Sequence, residues 1–460
     1  MLTRVGIFAV VTLLVAGLLG SAPVDGNAPP APSPVVLSPG TGDGLVLGVT
    51  HAQYSLDSWL TPEQRASGEQ ILGATPMLQN QHIMGFGVGN PEPSPGRHDW
   101  SRLDERMDLI GRTGGTPVIT LCCAPDWMKG GTAGTTNWDD LAAAPRREHF
   151  ADYARLSAEV ARRYPQVRHF QVWNELKGFW DERTGTWDAA AYTDLYNQVY
   201  DAVKAVRPDA LIGGPYVVLT LWSSAEATDH PSDLRGPYGV VDQRSLDVVD
   251  YWNEHKHGAD FVALDASTGT RDKGLITTPE RAGRIYADAT RWAAARTGLP
   301  VWWSEFYPDA APPADPPAAP ARDDSLEPDG IPPAQRQTGP VDQARAVATL
   351  DAVARAADAG AAVMLLWQPE ASDDLPYAAL WSQATPATPV LAPTSLTAAW
   401  TWLAPRLRGN LVSVHRRPGE VVAFRTPGGD ATINPTAQAE QVRAGGRSLS
   451  LPPLSIRLPG

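Results

Sequence analysis

The residues best suited to chemistry lie in the stretch QVWNELKGFW at 171–180, where the apolar run 167–173 ends in Asn174 and Glu175. A strand that delivers a carboxylate at its tip is unusual, because burying an unpaired carboxylate is costly unless a partner or a reaction compensates. A second run of the same kind, PVWWSEFY at 300–307, carries Glu305. Two carboxylates facing one glycosidic bond supply what its hydrolysis needs: an acid for the leaving oxygen and a group to meet the oxocarbenium-like carbon. A carboxyl separation of roughly 5 to 5.5 Å would let the second group attack directly and retain the anomeric configuration. Asn174, beside the first acid, could hydrogen-bond a sugar 2-hydroxyl. Tyr216 could donate to the Glu305 carboxylate and keep it ionised.

For both acids to reach one substrate, the chain must bring residues 175 and 305 together. From residue 45 onward, short β-rich apolar runs alternate with longer helical patterns, the signature of βα units around a parallel sheet. Strands are expected at 45–50, 82–88, 116–123, 167–173, 211–214, 261–264, 301–304 and 361–367. Helices are expected at 101–111, 149–164, 189–206, 279–297 and 341–359, where apolar residues recur three and four apart. Eight such repeats closing on themselves predict an α/β fold, a (β/α)8 TIM barrel, with catalytic groups at the C-terminal ends of its strands. Those ends carry His51, Gln53 and Tyr54, then Asp126 and Trp127, Asn174 and Glu175, Tyr216, Asp265, Glu305 to Tyr307, and Gln368 with Glu370. Polar and aromatic groups on one face suit a carbohydrate, which presents an apolar ring face and many hydroxyls.

The flanks differ from the barrel. Arg4, the apolar run 5–19 and the small residues Gly20, Ser21 and Ala22 make 1–22 a signal peptide. Pro23 fits cleavage poorly, so an uncleaved N-terminal anchor is the alternative, although the run is short for a membrane span. A Pro/Gly/Ala-rich linker follows at 23–42. The barrel then takes 43–394, with a Pro-rich insertion at 308–340 that is either disordered or functional, and a loop at 216–239 holding Trp222 and Tyr238 that would wall a cleft. Residues 395–460 read as a linking helix (396–407) and a small C-terminal antiparallel β unit. That unit is marginal as a core of its own and should pack on the barrel, sharing strands with the N-terminal segment.

The net charge of −13, with acids and bases interspersed, argues against nucleic acid or anionic lipid as partners. Membrane contact is left to the N-terminal anchor. Cys122 and Cys123, the two cysteines of the chain, read as buried free thiols, with a strained bridge between neighbours as the alternative. His51, His255 and His257 lack acid or thiol partners at ligand spacing, so no metal and no cofactor is expected; His51 reads instead as a sugar contact. Trp252, Asn253 and Glu254 repeat the letters of the key motif in a helical context, with Glu254 facing solvent.

Asn-Glu at the end of strand four, with Glu at the end of strand seven, resembles the clan A retaining glycoside hydrolases. PEPSPGRHDWSRLDERMDLI at 91–110 is similar to the loop and helix after the second strand in that clan, PVWWSEFY to its nucleophile strand, and VMLLWQPE at 363–370 to its last strand. Within the clan the chain most resembles glycoside hydrolase family 39, which holds β-xylosidases, α-L-iduronidases and some exopolysaccharide endoglycosidases. The C-terminal unit, with INPT at 433–436, also suits that family. The resemblance implies Glu175 as acid/base, Glu305 as nucleophile, and Asn174, Tyr216, Trp127 and Trp367 as sugar-binding residues, beside the strand-end groups His51, Asp265 and Gln368. Two departures stand out: FVALDAS at 261–267 lacks the His or Tyr that many members place there, and 85–89 lacks an Arg found in several families. Asp265 either takes that missing position or caps the following loop. The expected activity is retaining hydrolysis of an oligo- or polysaccharide by a secreted or cell-envelope protein. The alternatives are a non-catalytic glycan binder on a barrel scaffold, or a transglycosylase using the same pair.

Overall fold

The computed structural model describes residues 44–53, 55–310, 340–372, 377–408, 413–416, 421–426, 429–444 and 447–459. The signal or anchor at 1–22, the linker at 23–42, Tyr54 and nearly all of the Pro-rich insertion lie outside the described residues. Among the described residues no helix is long and apolar enough to cross a membrane.

The barrel strands are β1 (Val46–Thr50), β2 (Leu78–His82), β3 (Thr116–Leu121), β4 (His169–Val172), β5 (Leu211–Val218), β6 (Phe261–Ser267), β7 (Val301–Tyr307) and β8 (Val363–Trp367). They close in the order β1-β8-β7-β6-β5-β4-β3-β2, every neighbour parallel. Strands such as VWWSEFY read as continuous apolar runs because a parallel barrel buries both faces. Outside them lie α1 (Pro62–Leu72), α2 (Ser101–Arg112), α3 (Phe150–Arg163), α4 (Ala189–Val206), α5 (Gln243–His255), α6 (Arg284–Thr297), α7 (Pro340–Ala359) and α8 (Thr397–Arg408). In α3 the buried Tyr153, Leu156, Ser157 and Val160 recur at helical spacing. The Asp188 side chain caps α4 by accepting from the Ala191 amide. The expected barrel with its appended β unit is therefore the fold.

Several boundaries differ from the sequence expectation. The second strand lies at Leu78–His82 rather than 82–88. Its letters, LQNQH, look like a loop, yet all five side chains are buried: Gln79, Asn80 and Gln81 find hydrogen-bond partners inside the barrel, and the His82 ring stacks on Phe86. β5, β6 and β7 run three or four residues further than expected and so carry the site residues within the sheet. The helix expected at 279–297 breaks at Gly283 into Pro279–Ala282 and α6. α1 gave no periodic signal because it buries only Gln64, Gly68 and Leu72.

Across the barrel interior runs a closed circuit of buried hydrogen bonds. Thr50 Oγ1 donates to the Ser304 carbonyl at 2.7 Å, and Asn80 Nδ2 donates to Thr50 Oγ1 at 3.2 Å. Thr120 Oγ1 donates to Asn80 Oδ1 at 2.8 Å, Gln171 Nε2 to Thr120 Oγ1 at 3.1 Å, and Ser304 Oγ to Gln171 Oε1. The circuit joins β7, β1, β2, β3 and β4, and each member both gives and receives, as buried polar groups must.

Cys122 and Cys123, directly after β3, are bonded to each other across a cis peptide, so the bridge and not the free thiols is present. The 216–239 loop folds into a small three-stranded sheet. There Tyr238 is fully buried and the Trp222 indole N–H donates to Asp242 at 2.9 Å, so Tyr238 belongs to the core rather than to a cleft wall. The C-terminal unit is a four-stranded antiparallel sheet with a separate two-stranded ribbon, Glu440–Ala444 with Arg447–Leu451. Val422, Phe424, Ala431 and Ile433 join the barrel's own core, which gives the unit the packing it lacks alone. Among the described residues it shares no strand with the N-terminal segment.

Candidate active site

Two bulges aim the site. Between β5 and β6, Ala263 pairs with Pro215 and Leu264 with Val217, leaving Tyr216 as the extra residue on β5. Between β6 and β7, Leu264 pairs with Trp303 and Asp265 with Glu305, leaving Ser304 as the extra residue on β7. A bulge inserts one residue and so re-aims the side chains that follow it. Asp265 and Glu305 thereby become lateral neighbours, and Tyr216, at φ 55°, reaches Glu305 Oε1 with its hydroxyl at 2.7 Å.

Glu175 arrives from a strained corner. Trp173, Glu175 and Leu176 hold φ values of 70°, 53° and 49°, a region that ordinary residues enter at a cost of about 1 to 3 kcal/mol each and keep only where the surroundings over-determine it. Trp173 does that here. Its ring is fully buried, meets Tyr153 and Phe179 edge-on, and its indole N–H donates to the Lys177 carbonyl at 2.7 Å. The corner swings Lys177 back, so that Nζ lies 2.7 Å from Glu175 Oε2.

One carboxylate oxygen from each of Glu175, Asp265 and Glu305 lies within 4.8 Å of the other two. Burial pushes the Glu305 carboxyl pKa up, and Glu175 adds to this, while the Tyr216 hydrogen bond and the Lys177 charge oppose it. Burial raises Asp265 further, reinforced by Glu305 and Glu175 and opposed by Lys177 and Tyr307. For Lys177, burial works against the charge, but Glu175, Glu305 and Asp265 outweigh it and raise its pKa. A cluster of this kind shares its protons, so the steps belong to the set and not to single residues. Paired carboxylates, one held as acid and one as nucleophile, can cleave a glycosidic bond. The same three oxygens are spaced so that a metal ion could bridge them.

The remaining sequence candidates fall around this cluster unevenly. Asn174 is buried, with Oδ1 unpartnered. Trp367 is half-buried and forms an aromatic group with Tyr307 and Tyr377, ring centroids 5.4 and 6.1 Å away. Gln368, also at positive φ, donates to the Glu370 carbonyl at 3.0 Å. His51 is fully buried beside Gln79; burial and then Arg106 lower its pKa to about 3, so the ring is neutral. Trp127 offers little open ring face: it is 9% exposed, and its indole N–H is taken by the Glu92 carbonyl. Glu254 is exposed on α5, outside the barrel sheet. Sequence reasoning gave no role to three residues. Lys177 lies two positions after Glu175, a spacing that only the strained corner brings back. Tyr307 was visible at its strand end, and His82, stacked on Phe86 at 4.0 Å, was hidden by the misplaced second strand.

No model of a known protein family matches the chain. No curated protein matches it in sequence. Among solved structures it is similar to a monomeric beta-xylosidase from Caulobacter crescentus CB15, at 17% identity and TM-score 0.51 over 87% of this chain and 78% of that one. It is similar to a GH39 enzyme from Xanthomonas axonopodis pv. citri, at 17% identity and TM-score 0.52 over 85% and 71%. A conserved exported protein from Bacteroides fragilis matches at 11% identity and TM-score 0.54 over 90% and 96%. At these identities the likeness is one of fold, and this chain takes the barrel architecture that those structures share.

Proposed function

We propose that the chain is a retaining glycoside hydrolase that cleaves O-glycosidic bonds of an oligo- or polysaccharide. The observation that carries the reading is that one carboxylate oxygen of Glu175 and one of Glu305 lie within 4.8 Å of each other, just beyond β4 and on β7, an approach close enough for direct displacement by the second carboxylate. Glu305 attacks the anomeric carbon while Glu175 protonates the leaving oxygen; Glu175 then takes a proton from water as that water releases the glycosyl group from Glu305. Tyr216 steadies the Glu305 carboxylate before attack. The names of two fold neighbours, a beta-xylosidase and a GH39 enzyme, support the same reading. The signal-like start of the chain supports a secreted or envelope-bound location. The test is a set of aryl glycosides and matching fluoroglycoside inactivators. Turnover should vanish in Glu305→Gln, azide should restore it in Glu305→Ala, and the inactivator should label Glu305. Full activity in either variant sinks the assignment.

A further inference from the structure

Hydrolysis needs two carboxylates, and this site holds a third. Asp265 is fully buried, lies within 4.8 Å of both Glu175 and Glu305, and neither of its oxygens meets a donor at hydrogen-bond geometry. The donors nearby are engaged elsewhere: Lys177 pairs with Glu175 at 2.7 Å, and the Tyr216 hydroxyl is given to Glu305 at 2.7 Å. Tyr307 faces Asp265 without closing a bond to it. A buried acid left this way is costly, and like charges directly across neighbouring strands are destabilising. Such a group is accounted for if a ligand completes it.

We propose that Asp265 receives a protonated amine on the sugar ring bound against Glu305, so that the substrate is an amino sugar with a free, unacylated amine. This rests on the glycosidase reading above. Position supports it, because the sheet register sets Asp265 beside Glu305, within reach of ring substituents near the reacting carbon. Charge supports it further. In the reacting state Glu175 carries a proton, Glu305 is anionic and Lys177 is cationic, so those three sum to zero. Burial holds Asp265 protonated when it is alone; ionised, it adds one negative charge to that neutral set, which an ammonium cancels and a hydroxyl does not. An ammonium also brings three donors to two unpartnered oxygens.

The experiment compares aryl glycosides in matched pairs that differ at one ring position, free amine against hydroxyl, with the N-acetyl compound as a third member. For one pair the amine should be favoured in kcat/KM by ~10- to 100-fold, the range of a charged hydrogen bond. The preference should be lost on N-acetylation and fall to about one in Asp265→Asn, which keeps the shape and drops the charge. Asp265→Ser serves the same comparison, and thermal melting selects the variant that is folded. A wild type that prefers the hydroxyl member of every pair, or an Asn variant that keeps the amine preference, overturns the inference while leaving the hydrolase reading intact. So does activity that a chelator removes and calcium restores, since the three acids then hold a metal ion. If no member of any pair is turned over and fluoroglycosides leave Glu305 unlabelled, the hydrolase reading itself fails and this inference falls with it.

Discussion

Glu305 is the residue on which opposing influences meet, and its pH behaviour separates them. On the proposed mechanism the acid limb of kcat/KM reports the anionic state of the carboxylate cluster in which Glu305 is the nucleophile; burial raises the Glu305 pKa, and Tyr216 and Lys177 pull it back. Tyr216→Phe removes a hydrogen bond to a charged group, worth about 1.5 to 3 kcal/mol. It should cut activity at neutral pH by ~10- to 100-fold and move the acid limb to higher pH; an unmoved limb would show that the hydroxyl does not serve the carboxylate. Lys177→Met should move the limb the same way and by less, because the Lys177 side chain is 41% exposed and solvent screens its charge. Asp265 offers a stability counterpart. Its folded pKa lies above the unfolded carboxylate range, so the native state binds the extra proton, and stability falls as pH rises from about 4 toward that folded value. Asp265→Asn has no such loss, and its melting temperature should gain on the parent progressively as pH rises above about 4. A difference flat with pH would contradict the assignment.

At the scale of elements, the sequence was legible where hydrophobicity alone decides the outcome and opaque where polar groups or backbone shape decide it. The apolar runs of β1, β4, β7 and β8 and the periodic faces of α2, α3 and α4 were readable to within a few residues. The second strand was not, since Gln79, Asn80, Gln81 and His82 look solvated until their buried partners are known. Glu175 and Glu305 were readable as strand-end acids, and Tyr216 as a donor to Glu305. Lys177 was not, because nothing local announces that Trp173, Glu175 and Leu176 adopt left-handed backbone. The bulges at Tyr216 and Ser304 were equally silent: each depends on a register between strands far apart in sequence. Trp173→Phe tests whether the corner is held by its indole. It removes the bond to the Lys177 carbonyl and leaves a gap among Tyr153 and Phe179. Activity should fall about tenfold or more, as a misplaced acid loses alignment, with a lowered melting temperature. Unchanged kcat would assign the corner's shape to other contacts.

Across the whole molecule, the polar circuit at the barrel's centre links the proposed catalytic pair to stability. Thr120 sits in the middle of it, donating to Asn80 and accepting from Gln171, while the far side of the same circuit grips the backbone and hydroxyl of Ser304, the residue before Glu305. Thr120→Val keeps the outline of the side chain but strands Asn80 Oδ1 and Gln171 Nε2, both without exposure to water. Each stranded buried group costs about 1 to 3 kcal/mol, so the pair should cost ~2 to 6 kcal/mol, a large share of ordinary net stability. Gln171, freed on one side, should also loosen its hold on Ser304 and hence on the carboxylate that follows it. The expected result is a marked drop in the denaturant midpoint together with a fall in kcat that exceeds any change in KM, because the circuit holds Ser304 beside the proposed nucleophile and includes none of the residues proposed to bind sugar. A variant that loses stability but keeps kcat would make the circuit a structural layer alone, and one that loses neither would mean that the barrel interior re-satisfies those groups by rearrangement.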